Sequence, residues 1–311
     1  MSTAETSLDR CPACDEPLAP DVSIRGSDRL HGTPGQFDVL VCRRCGSGLT
    51  LPVVAEGQLA EFYPDDYNAY SLPENRLLRW LATRLFTHRY RRALKKHPLN
   101  RLVGAEGGRL LDVGGGRGDL GLMVQPFGWH ATVLDPSNAA CEAARSRGQD
   151  AFTGTLTQLP PEIDGQFDAI VFQHSLEHVA DPEASLRAAH RLLKTGGSLI
   201  VTQPNFGSWQ SRRFGADWFH LDLPRHRTHM TARGLSLLLD RTGFSDPIIS
   251  TTTSSDGLPM SIEYRISGGR TSNGSARLTF ALLGMLAFPV TLVTSYLAGQ
   301  GDILHASAVK K

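Results

Sequence analysis

The run from Arg109 to Gly121, RLLDVGGGRGDLG, constrains this chain more than any other stretch. Leu110, Leu111 and Val113 are a short apolar run of the kind that makes a buried parallel strand, and Gly114, Gly115, Gly116 and Gly118 follow as a turn that side chains would block. Glycine permits positive φ and leaves room for a ligand against the backbone, and the helix expected from about Arg117 offers free N–H groups at its start. Asp112 stands two residues before the first glycine, so a carboxylate points at the same space. That combination is poor for a phosphate and good for a cationic ligand.

WHATVLD, ending at Asp135, reads as a second strand closing on an acid, placed where ribose hydroxyls are held in Rossmann-like folds. Gly116, Gly118 and Gly121 also fit GxGxxG, which leaves a dinucleotide reading open. Strands are expected at 109–113, 130–135, 150–153, 168–173 and 198–203 with helices between them: an α/β, doubly wound, mostly parallel Rossmann-like sheet. Ligands bind beyond the carboxyl ends of such strands, where Gly114, Asp135, Thr155, Gln173 and Pro204 emerge.

Taken together, DVGGGRG at 112–118, LDPS at Leu134 to Ser137, FDAIVFQHSLEHVADP at Phe167 to Pro182 and GGSLIVTQPN at Gly196 to Asn205 make the stretch from Leu110 to Phe244 resemble the class I S-adenosylmethionine-dependent methyltransferases. The resemblance implies that Asp112 holds the methionine amino group, that Asp135 holds the ribose, and that the Thr155–Leu156 backbone lines the adenine, with Gly114, Gly116, Gly118 and Gln173 completing the cofactor site. Many members carry an acid near Thr155, where this chain has GTLTQ. Asp112 and the HSLEHV segment have no place in a NAD-dependent oxidoreductase, which stays as the alternative beside a non-catalytic cofactor-binding scaffold.

His174, Glu177 and His178 stand at i, i+3 and i+4, so on a helix they would share one face at the lip of the crevice. A histidine there could take a proton from an acceptor alcohol. The same three residues could instead ligate a divalent metal such as Mg2+, as a similarly placed set does in some ubiquinone-pathway relatives, although an acid stands there in place of His174; a third reading has Glu177 and His178 only bracing the loop. WFHLDLPRHRTHMT, Trp218 to Thr231, resembles the W-x-x-LD-x-PRH segment of the same methyltransferase group and makes His226 and Arg225 acceptor-side candidates. Arg225 suits a carboxylate or phosphate and Trp218 suits stacking on a sugar or ring; a histidine-rich loop held by internal hydrogen bonds is the competing reading. His174, His178 and His226 are therefore the catalytic candidates.

Cys11 and Cys14 form one CxxC, Cys42 and Cys45 a second. Four thiolates around a structural zinc ion suit this pattern better than disulfides in a reducing compartment, and without a metal the first fifty residues have few large apolar side chains to hold them. Arg25, Arg29, Arg43 and Arg44 are offset by Asp15, Glu16, Asp21, Asp28 and Asp38, so nucleic acid is not the expected partner.

Three domains are expected: a zinc ribbon at 1–52, a lid or linker with a basic amphipathic helix at 53–104, and the methyltransferase domain at 105–311. YPDDYNAY at Tyr63 to Tyr70 resembles the segment joining such ribbons to methyltransferase domains in bacterial enzymes of glycans and secondary metabolites. From Arg76 to Lys96 basic residues recur with no acid, and Leu77, Trp80, Leu81 and Leu85 fall near helical spacing, which suits an anionic partner. From Leu278 to Gly301 there is no charge. The last residues, GDILHASAVKK, resemble the final strand of the sheet and should pair near Ile248 on the same side of any membrane, so this stretch reads as an insertion that dips into one leaflet, packs in a fold or dimer, or spans. The polar start MSTAETSLDR lacks the apolar core of a secretory signal. The expectation is a cytoplasmic enzyme with peripheral contact at the inner face of the cell membrane, acting on a small-molecule, glycan or lipid-linked sugar acceptor, with O-methylation favoured.

Overall fold

The computed structural model describes residues 10–19, 23–55, 58, 60–62, 99, 101–102, 106–268, 289, 293 and 300–311. Tyr63 to Tyr70, the basic run 76–96 and nearly all of 278–301 lie outside the described residues.

In chain order the strands are β1 (Ser23–Gly26), β2 (Phe37–Val41), β3 (Gly48–Leu51), β4 (Gly108–Val113), β5 (Trp129–Asp135), β6 (Asp150–Thr153), β7 (Phe167–Gln173), β8 (Leu193–Pro204), β9 (Thr228–His229), β10 (Ser245–Thr252) and β11 (Ile303–Val309). The main sheet has seven strands in the order β10-β11-β8-β7-β4-β5-β6. The five strands read from sequence pair in parallel, with β4 at their centre, and β11 runs antiparallel between β8 and β10. Ile248 pairs with Ser307, as the likeness of the last residues to a final strand requires.

Leu110, Leu111 and Val113 are buried because β4 is covered on both faces. Helices α1 (Asp119–Val124), α2 (Asn138–Ser146), α3 (Pro182–Leu192), α4 (Trp209–Phe214), α5 (Ala232–Arg241) and α6 (Gly257–Ser267) supply most of the cover. In α3, Leu186, Ala189 and Leu192 recur on one buried stripe, Pro182 pre-sets the first turn, and Asp181 accepts from Ala184 N at 2.9 Å. Losing that cap would cost about 1 kcal/mol. Leu110, Leu120, Val124, Trp129 and Leu102 pack one face of the sheet, while Leu111, Phe172, Leu186, Leu235 and Leu304 pack the other.

The small N-terminal sheet is completed from far along the chain. Its order is β1-β2-β3-β9, with Gly48 paired to His229 and Leu49 to Thr228. The four cysteines share one core with Met230, Leu235 and Leu238, and the glycine at 234 lets α5 lie directly against Ser47 and Ala13. No helix among the described residues is long and apolar enough to cross a membrane.

Candidate active site

The carboxyl ends of β4, β5, β6 and β7 open onto one crevice. At its floor, Gly114, Gly116 and Gly118 all take left-handed φ, at 70°, 54° and 76°. Gly114 N donates to Leu134 O at 2.7 Å, and a Cβ on Gly114 would sit 2.5 Å from the Ser175 side chain. A Cβ on Gly116 would meet nothing within 4 Å, so the turn leaves open space above this glycine. Helix α1 begins at Asp119 with Gly118 as its N-cap, two residues later than the sequence suggests, because the left-handed Gly118 ends the turn first.

Asp135 accepts from Gly116 N at 2.9 Å and from Ser137 N at 2.8 Å, so its carboxylate is fixed at the mouth of the turn. Burial pushes its pKa up, partly offset by these two N–H groups. Asp112 is only 3% exposed, and burial followed by the charges of Asp135 and Asp119 pushes it up to about 7. A cation beside Asp112 would restore its charge. Thr155 N donates to Gln158 Oε1 at 2.9 Å, which orders the turn over the buried Leu156, and Gln173 closes β7 exposed at the rim. The residues present would suit S-adenosylmethionine, with an ammonium beside the buried Asp112 carboxylate and ribose hydroxyls beside Asp135. When bound, it supplies a methyl group on a positively charged sulfur.

Ser175 joins this floor to the segment that carries Glu177 and His178, its Oγ donating to Val113 O at 2.6 Å. Immediately before it, His174 holds a left-handed φ of 54° and donates its N–H to Thr202 O at 2.7 Å, a conformation that costs a non-glycine residue about 1 kcal/mol or more. The segment after it is a single 3-10 turn, Leu176–His178, rather than a helix. His174 Nδ1 lies 3.6 Å from Glu177 Oε1, and the ligating atoms that all gather within 4.8 Å of one another belong to Glu177, His178 and His226. The rings of His178 and His226 meet edge to face at 4.7 Å between centroids.

Glu177 is 2% exposed, and neither carboxylate oxygen has a hydrogen-bond partner among the described residues. Burial alone would push it up, but the facing imidazoles of His174, His178 and His226 outweigh burial and bring it down to about 2. His226 is lowered to about 4 by burial and then by the neighbouring His178, and is neutral near pH 7. Its Nδ1 lies 2.9 Å from the His220 carbonyl, and His178 Nδ1 lies 3.0 Å from the Arg225 carbonyl.

A family model described as a methyltransferase domain matches residues 86–246, 161 of the 311. The chain belongs to this methyltransferase family. It is of the class I, S-adenosylmethionine-dependent type. Among curated proteins, the chain is 31% identical over 118 residues to a ubiquinone biosynthesis O-methyltransferase of Pseudomonas aeruginosa, covering 36% of this chain and 51% of the relative. It is 34% identical over 131 residues to the enzyme of that name from Xanthomonas oryzae, covering 40% of this chain and 55% of the relative. The chain thus spans about half the length of the curated relatives it matches. A solved S-adenosylmethionine-dependent methyltransferase from Archaeoglobus fulgidus aligns over 76% of this chain and 100% of its own, at 15% identity and a TM-score of 0.48.

In this methyltransferase two residues expected at the acceptor are elsewhere. Arg225 is fully buried, Nη2 2.8 Å from Asp28 and 2.6 Å from Asp222, so its charge is already neutralised by two carboxylates. Trp218 is 1% exposed and packs with Phe206 and Leu221 in the core beneath the small sheet, where it has no face to offer a sugar. Sequence reasoning missed Thr50 and Asp222. Thr50 Oγ1 donates to the His226 carbonyl at 2.7 Å and lies 2.9 Å from His229 Nε2, while Asp222 Oδ2 lies 3.8 Å from His226 Nε2. Asp222 was visible within the W-x-x-LD-x-PRH segment; nothing in the sequence signalled Thr50.

Cys11 Sγ lies 3.5 Å from Cys45 Sγ, and Cys14 Sγ lies 3.5 Å from Cys42 Sγ, all four residues being buried and without disulfides. Sulfurs around zinc at about 2.3 Å would be about 3.8 Å apart, so the set fits a structural zinc ion after a small expansion.

Proposed function

We propose that this methyltransferase moves a methyl group from S-adenosylmethionine to a hydroxyl oxygen of a small-molecule or glycan acceptor. In this reading Asp112 holds the ammonium of the cofactor, Asp135 its ribose, and the glycine turn with Thr155, Leu156 and Gln173 shapes the rest of its pocket. The observation that carries the choice of oxygen is the wall of Glu177, His178 and His226 beside the glycine turn, linked to it through Ser175. An alcohol is a weak nucleophile until its proton is drawn away, and a carboxylate with two imidazoles is suited to that task. The sulfonium leaving group is already activated, so the protein mainly aligns acceptor and methyl, an effect worth roughly 7–11 kcal/mol. The relatives named above, as O-methyltransferases, support the same atom.

The test is incubation with S-adenosylmethionine and a panel of phenols, sugars and lipid-linked sugars, followed by mass spectrometry of the products. Methylated oxygen supports the reading. Methyl groups found on nitrogen or carbon alone would overturn it.

Peripheral attachment at the inner face of a membrane belongs to the same proposal. It rests on the basic run 76–96 and the uncharged stretch 278–301, together with Ile262 and Ile266, which stand exposed one helical turn apart on α6. Flotation with anionic vesicles checks it, and protein that stays at the bottom of the gradient with neutral and anionic vesicles alike counts against it.

A further inference from the structure

We propose that Glu177, His178 and His226 form a binding site for a divalent transition-metal ion of borderline hardness, such as Zn2+, Co2+ or Fe2+, held by one carboxylate oxygen and two imidazole nitrogens. The site differs from the Mg2+ set that resemblance suggested. His174 Nδ1 faces Glu177 Oε1 at 3.6 Å but is not among the three residues whose ligating atoms all gather within 4.8 Å, and the third of those donors comes from another element, the loop before β9. Mg2+ favours oxygen ligands in an octahedron, whereas two imidazoles with one carboxylate suit zinc and its transition-metal neighbours.

Three observations carry this. First, the Glu177 carboxylate is buried with neither oxygen hydrogen-bonded among the described residues, His174 Nδ1 at 3.6 Å and His226 Nε2 at 3.9 Å lying just beyond hydrogen-bond reach, an arrangement that a cation between them would satisfy. Second, both histidines are set in one tautomer. Carbonyl oxygens only accept, so the 3.0 Å contact of His178 Nδ1 with Arg225 O and the 2.9 Å contact of His226 Nδ1 with His220 O place the proton on Nδ1 in each ring. That leaves Nε2 as the electron-pair donor, and a ring N–H bound to a backbone carbonyl is the usual outer support of a metal-ligating histidine. Third, His226 Nε2 lies 3.9 Å from Glu177 Oε1 and 3.8 Å from Asp222 Oδ2, so in that tautomer electron-rich atoms face one another with a gap between them.

The ligating atoms lie within 4.8 Å of one another. Donors about 2.1 Å from a zinc ion sit about 3.4 Å apart at the tetrahedral angle, so the set must draw in by about an ångström. Three protein ligands leave a coordination position open, and His178 is only half-buried. A Lewis acid there would ease removal of the acceptor proton; that consequence rests on the O-methylation reading, whereas metal binding does not.

The experiment uses the full chain with its cysteine site filled with zinc. Metal is counted by mass spectrometry after equilibration with excess Zn2+, Co2+ or Mn2+ and removal of free ion, in parallel with calorimetric titration of S-adenosylhomocysteine. The expected result is two bound equivalents in the native chain and one in Glu177→Gln and in His178→Asn, with cofactor affinity held within about twofold as evidence of folding. His178→Asn is included because its half-buried site tolerates change if Glu177→Gln does not fold. A native chain that holds one equivalent with every ion overturns the proposal, as does a second equivalent retained in both variants. Two equivalents without transfer to any hydroxyl would leave the metal site standing and sink O-methylation; transfer by a chain holding one equivalent would do the reverse.

Discussion

The guanidinium of Arg225 and the carboxylate of Asp28 meet at 2.8 Å with both side chains wholly buried, the residues standing 197 apart in sequence. Arg225 Nη1 also donates to Phe62 O at 2.9 Å, and Asp28 accepts from the N–H groups of Leu30, His31 and Thr33. One ion pair thus clasps the cysteine-bearing sheet to the loop that carries His226.

Breaking that clasp from one side leaves a buried charge without its partner, which costs about 3–5 kcal/mol. Arg225→Met should therefore unfold at markedly lower denaturant than the native chain, and Arg225→Met with Asp28→Leu should recover part of the loss. Urea denaturation with a double-mutant cycle measures both. A single variant as stable as the native chain would show that the pair is not a clasp.

Asp112 gives the ligand-free protein a pH dependence of known sign. Its folded-state pKa of about 7 lies above the ordinary value of 3.8, so the folded state holds this proton across that window while the unfolded state releases it. This group alone makes stability fall as pH rises from about 4 to 7, and the cost persists above. Asp112→Asn should raise the melting temperature of the ligand-free chain at pH 8 and weaken S-adenosylmethionine binding by about 100-fold. Native affinity should climb with pH up to about 7 and then level. Tight cofactor binding by the asparagine variant would remove Asp112 from the site.

Disrupting the four-cysteine cluster should silence transfer before it disturbs the cofactor. Cys42→Ser loosens the strands that hold His229 and, through Thr50, His226, but Asp112 and Asp135 stand on other strands. The expected outcome is loss of methyl transfer with S-adenosylhomocysteine affinity within about twofold of native, read by calorimetry and product assay on one preparation. Equal loss of both would mean that the cysteine site supports the whole fold.

Thr50→Val tests the same link more gently. The variant keeps the volume but leaves the His226 carbonyl and His229 Nε2 unmatched, at a cost of about 1–3 kcal/mol. Steady-state kinetics should show a lower kcat with KM for S-adenosylmethionine unchanged. A raised cofactor KM with normal kcat would place Thr50's influence elsewhere.

Much of the architecture was legible because it is written in local pattern. Apolar runs ending on Asp112 and Asp135, with glycines where the chain must turn left-handed, specify β4, β5 and the turn between β4 and α1 by short-range sterics and burial. Two CxxC pairs likewise carried their own spacing, and the structure brings them together. What sequence could not supply was who meets whom across long separations. Periodicity suggested that His174, Glu177 and His178 share a helix face; a 3-10 turn replaced the helix, His174 still faces Glu177 at 3.6 Å, and His226 arrived from the loop before β9. Arg225 and Trp218 read as acceptor groups because their chemistry is versatile, yet Asp28 and Asp222 neutralise the one and the core under the small sheet encloses the other. Glycine turns and strand runs depend on the few residues beside them, so the sequence by itself determined β4, β5 and the left-handed glycine turn between β4 and α1. The cluster of Glu177, His178 and His226 depends on which distant side chains burial forces together, and only the tertiary structure decided that.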